Sequence, residues 1–123
     1  MSRRLHPLPR PRCDHQESAL PSARLELHRS SEGATTVLAL VGELDAHTCA
    51  DFDAALAGEA DEDEVVLDLA EVRFVDSLGL RAIVAEHNSR SEHQRRLRLR
   101  NLQESVARTF EYAGLRDHLL IDP

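Results

Sequence analysis

The sequence predicts a single α/β domain: a mixed β-sheet of four to five strands packed with helices. Three observations predict it. Runs with the period of a strand alternate with runs with the period of a helix, in the order β-β-α-β-α-β-α-(β). The first two strand runs are separated by a short turn, which implies an antiparallel hairpin, while the later strand–helix–strand units imply parallel neighbours. The 123 residues are 41% hydrophobic, with 3% aromatics and no Trp. That is enough for one core, and the core must be aliphatic.

Residues 1–22 carry Pro7, Pro9, Pro11 and Pro21 among Arg3, Arg4, Arg10 and Arg12. No periodicity survives there, so a disordered Pro/Arg-rich arm is expected before a domain over 23–122. Residues 24–28 alternate polar and apolar, as a half-buried strand does. Ser30-Ser31-Glu32-Gly33 is a turn signal. Residues 35–41 are nearly continuously apolar, which suggests a strand buried on both faces. Gly42-Glu43-Leu44-Asp45 then leaves the sheet. Thr48 suits a helix cap with Asp51 at the third helical position, and Phe52, Ala55 and Leu56 form the apolar stripe. An acidic connector, residues 60–64, leads to a third strand over 65–69. A helix is expected over 78–88, with Leu80, Ile83, Val84 and His87 on one face. A strand follows over 95–100, a helix over 103–113 with Val106, Phe110 and Ala113 inward, and a short strand over 119–121. Gly114 suits the left-handed position that ends a helix.

Net charge is −7, and all 15 basic residues are Arg. Such acidity argues against direct nucleic-acid binding, which needs a basic surface, and favours partners with basic patches. No apolar run approaches the ~18 residues of a membrane span, and the N-terminus has no apolar signal segment. Cys13 and Cys49 form neither a metal-type pair nor a disulfide framework. A reducing cytoplasm is the simplest compartment.

The stretch 65–84 is the most informative. A buried-strand run ends in Asp76-Ser77-Leu78-Gly79, and a helix starts there. One hydroxyl then stands where free N–H groups and the positive end of a helix dipole converge. A phosphate on Ser77 is stabilised locally at such a place and changes the surface charge sharply.

Gly42-Glu43-Leu44-Asp45, Val66-Leu67-Asp68-Leu69, Phe74-Val75-Asp76-Ser77-Leu78-Gly79-Leu80 and Phe110-Glu111-Tyr112-Ala113-Gly114-Leu115, in this order and spacing, resemble the STAS domain family. The similarity is greatest to bacterial anti-sigma-factor antagonists. The resemblance implies a STAS-like sheet and a partner switch. The serine after the Asp of the Asp-Ser-x-Gly motif, here Ser77, is the residue phosphorylated by an anti-sigma-factor serine kinase. The unphosphorylated antagonist binds that kinase and frees the sigma factor, and a metal-dependent serine phosphatase resets the cycle. Asp45 matches a kinase-contacting position; Glu43, Asp76, Leu78 and Gly79 lie in the same motifs and join it as partner-binding candidates. ATP and metal belong to the partners, so the chain itself needs no cofactor and holds no catalytic residue. Leu78 departs from the many relatives that carry a second hydroxyl there.

Plainer readings stand beside these. Ser77 also suits a helix N-cap. Asp45 and Asp76 suit turns, and Asp68 a structural hydrogen bond. His47, His87 and His93 match no metal-ligand spacing, and His87 reads as a partly buried structural residue. Cys49 reads as a small apolar residue. Arg96, Arg98 and Arg100 alternate onto one exposed strand face. The alternative functions are a STAS scaffold that is never phosphorylated, an accessory subunit of a transport ATPase, and an enzyme with Ser77 on a nucleophile elbow. The elbow motif wants Gly where Val75 stands.

Overall fold

In the computed structural model, residues 25–122 are described. The arm expected over 1–22 and the first residues of the expected domain lie outside them. The elements are β1 (Leu25–Glu32), β2 (Thr35–Leu44), α1 (Cys49–Ala57), β3 (Glu64–Val75), α2 (Ser77–Ser91), β4 (Arg96–Arg100), α3 (Glu104–Tyr112) and β5 (Leu120–Ile121). The five-stranded sheet has the order β1-β2-β3-β4-β5. The first pair is antiparallel and the rest are parallel, as the hairpin and the crossover spacing require. The hairpin is tighter than expected: strand pairing runs on to Glu32 opposite Thr35, and Gly33 turns at φ +64°.

All three helices pack on one face. Phe52 of α1, Ala82 and Ile83 of α2, and Val106 and Phe110 of α3 share one buried cluster with Leu38, Leu40, Leu67, Leu69, Leu97 and Leu99. The opposite face carries the other alternation. Val37 and Val66 are buried there outside that cluster, among Arg96, Arg98, Arg100, Glu32, Glu64 and Asp68. Arg100 donates to both carboxylate oxygens of Glu32, at 3.1 and 2.9 Å. Arg98 pairs with Glu64 and Asp122. The expected exposed arginine face is therefore an ion-pair lattice. It holds Arg98 and Arg100 above the ordinary guanidinium range, first through their hydrogen bonds to Asp122 and Glu32.

Two elements outrun the sequence expectation. Gly42, Glu43 and Leu44 do not leave the sheet but end β2 within it. β3 does not stop at Leu69 but continues to Val75, with two register shifts that each give β3 one residue more than β2. Such bulges bend a strand and re-aim its end. The polar groups of the first one are satisfied: Ala70 N–H donates to Asp68 Oδ1 (3.1 Å), and Gln103 Nε2 donates to Ala70 O (2.8 Å). Asp68 is thus the structural acceptor expected of it. At the second shift, Gly42 sits at φ +128°, a conformation that only glycine adopts freely.

Arg90, which the sequence did not single out, is only 4% exposed. Its guanidinium donates to Glu59 O (3.2 Å) and Glu62 O (2.6 Å) just beyond α1, and to Arg96 O (3.3 Å) at the start of β4. Glu86 balances its charge at 3.2 Å. One side chain thus satisfies carbonyls that close α1 and ties them to α2 and β4.

Candidate functional site at the ends of β2 and β3

The parallel strands β2 and β3 end side by side, Glu43 opposite Phe74 and Leu44 opposite Val75. Asp76 N–H extends the pairing by donating to Leu44 O (3.1 Å). The site therefore lies at the carboxyl ends of parallel strands, where loops rather than ladders decide what is displayed. Glu43, Asp45, Asp76, Ser77 and Leu78 are brought together there. Glu43, Asp45, Asp76 and Leu78 are half-buried and Ser77 is exposed.

The N-cap of α2 is Asp76, not Ser77. Asp76 has extended backbone, and its Oδ1 accepts the Gly79 N–H at 2.9 Å. Ser77 is the first helical residue, and its hydroxyl makes no hydrogen bond. Asp and Ser are equally good caps by type; the tie is broken by where the backbone turns, at the pairing of Asp76 with Leu44. The capping reading of Ser77 is thereby corrected, and its hydroxyl is left with no structural duty.

Gly79 is buried, so its part in the site is positioning rather than contact. A Cβ there would stand 2.5 Å from Leu44 O and 3.0 Å from Leu44 Cγ. Only glycine lets the first turn of α2 press against the end of β2. The sequence marked Gly79 as a motif residue, but the close approach became visible only in three dimensions.

Asp45 organises a turn. Its Oδ1 accepts His47 N–H at 2.9 Å, and its carbonyl accepts from Cys49 N–H at 2.9 Å. Thr48 occupies the N-cap position of α1 but does not cap it. Its hydroxyl reaches back, donating to Glu43 O (2.8 Å) and accepting from Asp45 N–H (3.0 Å). The expected capping box is corrected: Thr48 locks the Glu43–Asp45 segment instead. Cys49 is fully buried, as the small apolar residue expected there is.

Two features were missed in the sequence. Phe74 is 50% exposed beside Glu43, although a Phe in a strand run signals core. A bulge had turned it outward. Ser77 also borders an apolar groove of about 490 Å³ along α2, lined by Leu80, Arg81, Val84 and Leu115 among others. Next to the exposed serine, the surface thus offers an aromatic ring, a groove and two carboxylates, Glu43 and Asp45. Glu43 is engaged by Arg73 Nη2 at 3.2 Å.

The histidines do not converge on this site. His87 and His118 stack edge to face, 5.1 Å between ring centroids, and His118 bonds Asn88 at 3.1 Å. Burial, then His118, pushes the His87 pKa below its ordinary value, as a partly buried structural histidine requires. Among the described residues no group of three or more His, Cys, Asp or Glu is placed to hold a metal, and no helix is long and apolar enough to cross a membrane.

Comparison with known proteins places this fold. A family model described as "Mlab, STAS domain" matches residues 27–122. The chain is 36% identical over 80 residues to an anti-sigma-B factor antagonist of Listeria monocytogenes, covering 63% of this chain and 70% of the relative. The crystal structure of an anti-sigma factor antagonist from Mycobacterium paratuberculosis superposes with a TM-score of 0.73 at 18% identity, over 86% of this chain and 91% of that one. The phosphorylated form of the Bacillus protein SpoIIAA superposes with a TM-score of 0.61 at 19% identity, over 81% of this chain and 92% of that one. At such identities the two structures establish the fold.

Proposed function

The chain belongs to the STAS domain family, and from that membership we propose that it acts as an anti-sigma-factor antagonist switched by phosphorylation of Ser77. Unphosphorylated, it binds an anti-sigma-factor serine kinase and so releases the sigma factor. The kinase transfers the γ-phosphoryl group of ATP to Ser77 Oγ; the hydroxyl proton is lost and ADP leaves. A serine phosphatase restores the hydroxyl. The role is regulatory, and the catalysis belongs to the partners.

The observation that carries this reading is the Ser77 hydroxyl, exposed and unbonded because Asp76 does the capping. It is open to a kinase, and its modification removes nothing from the fold. Glu43, Asp45, Asp76 and Leu78, with Phe74, form the surrounding contact surface. Phosphate adds about −1.5 to −2 charge at pH 7. A partner surface fitted to a neutral hydroxyl then meets an unpaired charge, at a cost of about 2–5 kcal/mol. That is tens to thousands of fold in affinity, so no change of fold is needed.

The enzyme reading needs a histidine base after Ser77, for which His118 is the candidate. His118 bonds to Asn88, eleven residues beyond Ser77 on the same helix, about 16 Å along its axis. The second reading is a STAS scaffold that is never phosphorylated, including an accessory subunit of a transport ATPase. It is favoured by Leu78, which leaves the motif one hydroxyl.

The test is capture from extract of the source cells by immobilised full-length wild type, Ser77→Ala and Ser77→Asp. The expected result is an anti-sigma serine kinase retained by the first two and lost by the third. Equal retention by all three contradicts the switch. A scaffold also gives no phosphate-dependent gel shift with that kinase and ATP.

A further inference from the structure

Resting on Ser77 as the phosphoacceptor, we propose that Arg81 is the built-in receiver of the phosphoryl group. Once Ser77 is modified, the Arg81 guanidinium folds back along α2 and pairs with the phosphate.

The first observation is that Arg81 stands alone. Among the described residues, every other arginine has a carboxylate within 4.0 Å, from Arg29 with Glu59 to Arg116 with Glu111. Arg81 has none and makes no hydrogen bond, and it is exposed. Among the described guanidinium groups, which are otherwise all matched to acids, one has been left without an anion.

The second observation is its place. Ser77 and Arg81 lie four residues apart on α2, so their side chains share one helix face. Side chains on a helix lean toward its N-terminus, which carries Arg81 back over Ser77. An anion N-terminal to a cation at this spacing is the favourable order. Both residues border the same groove, whose apolar wall of Leu80, Val84 and Leu115 suits the aliphatic stem of Arg81 while its head reaches the rim.

The nearby charges leave the pairing to Arg81. Arg73, the other cation near this end of the sheet, is bound to Glu43 at 3.2 Å. Asp76, the carboxylate beside Ser77, is occupied by Gly79 N–H. With a neutral hydroxyl at position 77 the guanidinium has nothing to pair with, so the contact exists only in the modified state. It lays the phosphate along the groove instead of letting it project into solvent. The modified surface then differs from the unmodified one in the groove as well as at Ser77.

The test is phosphorus NMR of the full-length chain with phosphoserine installed at position 77 during translation, titrated through the second phosphate ionisation near pH 6. Pairing favours the dianion. The wild-type ionisation is therefore expected roughly 0.2–0.4 unit below that of Arg81→Gln. Arg81→Lys keeps most of the shift, Arg73→Gln leaves it unchanged, and ~1 M salt erases it. Coincident titrations of wild type and Arg81→Gln overturn the proposal, as does loss of the shift in Arg73→Gln instead. Because the phosphate arrives without a kinase, this result is independent of partner capture. Retention of the kinase by Ser77→Asp contradicts the antagonist switch, whereas coincident titrations contradict only the Arg81 pairing.

Discussion

The two halves of β3 are built on different principles. From Glu64 to Asp68 the strand pairs in unbroken register with β4, and with β2 as far as Asp68. Val65, Leu67 and Leu69 are fully buried under the helices. From Ala70 to Val75 it pairs with β2 alone and slips register twice, and Phe74 faces solvent. The first half is held by apolar area. The second also sends Val72 and Val75 into that core, but its path is set by individual groups: Asp68 and Gln103 on the bulge, Gly42 at its positive φ, and Gly79 against Leu44. Area is forgiving of detail and single contacts are not. The scaffold is therefore placed in the first half and the aim of Ser77 is set in the second.

The largest effect that separates the halves is in the core. Leu67→Ala removes a fully buried side chain beneath the helices and is expected to cost about 2–5 kcal/mol, read as a lower urea midpoint. At temperatures where the variant remains folded, the amide resonances of residues 76–81 stay near their wild-type positions. A cost under about 1 kcal/mol means that the first half does not carry the stability assigned to it.

Gly79→Ala is the converse. Its Cβ meets Leu44 backbone at 2.5 Å, where neither partner is a flexible side-chain end. The start of α2 must move off β2, at a cost of about 1–3 kcal/mol. Here the amide shifts are expected to concentrate at residues 43–45 and 76–81, and kinase capture to fall although Ser77 is intact. A uniform loss of stability with capture unchanged erases the distinction between the halves.

The same division governed what the sequence disclosed. Period-two alternation made β1 and β4 legible, a short apolar run did so for the first half of β3, and the 3.6 period did so for the apolar faces of α2 and α3. It failed over residues 70–75 because each bulge advances the strand by one residue and flips the pattern, so the strand was expected to stop at Leu69. It failed at Gly42–Leu44 because Gly and Glu after an apolar run look like a loop, whereas here the glycine accommodates a kink inside the ladder. Arg90 was silent because a buried arginine serving carbonyls has no spacing signature. Ser77, Asp45 and Glu43 were legible as a group through their motifs. Which of Asp76 and Ser77 caps α2 was not, since both are favoured by type and only the backbone path decides between them.

That undecided pair supplies the smallest and most discriminating comparison. Asp76→Ala leaves the Gly79 N–H without its 2.9 Å acceptor and is expected to cost about 1 kcal/mol, the usual penalty for losing an N-cap. Ser77→Ala removes a hydroxyl that bonds nothing, from an exposed first-turn position where alanine is at least as good a helix former. It is expected to stay within about 0.5 kcal/mol of wild type. Paired thermal melts at one pH and salt concentration resolve the difference. Equal losses in the two variants mean that Ser77 shares the capping, and its freedom for modification is then smaller than the geometry indicates. A neutral Ser77→Ala beside a costly Asp76→Ala means that the fold has separated the residue that shapes the site from the residue it displays, so one can be modified without disturbing the other.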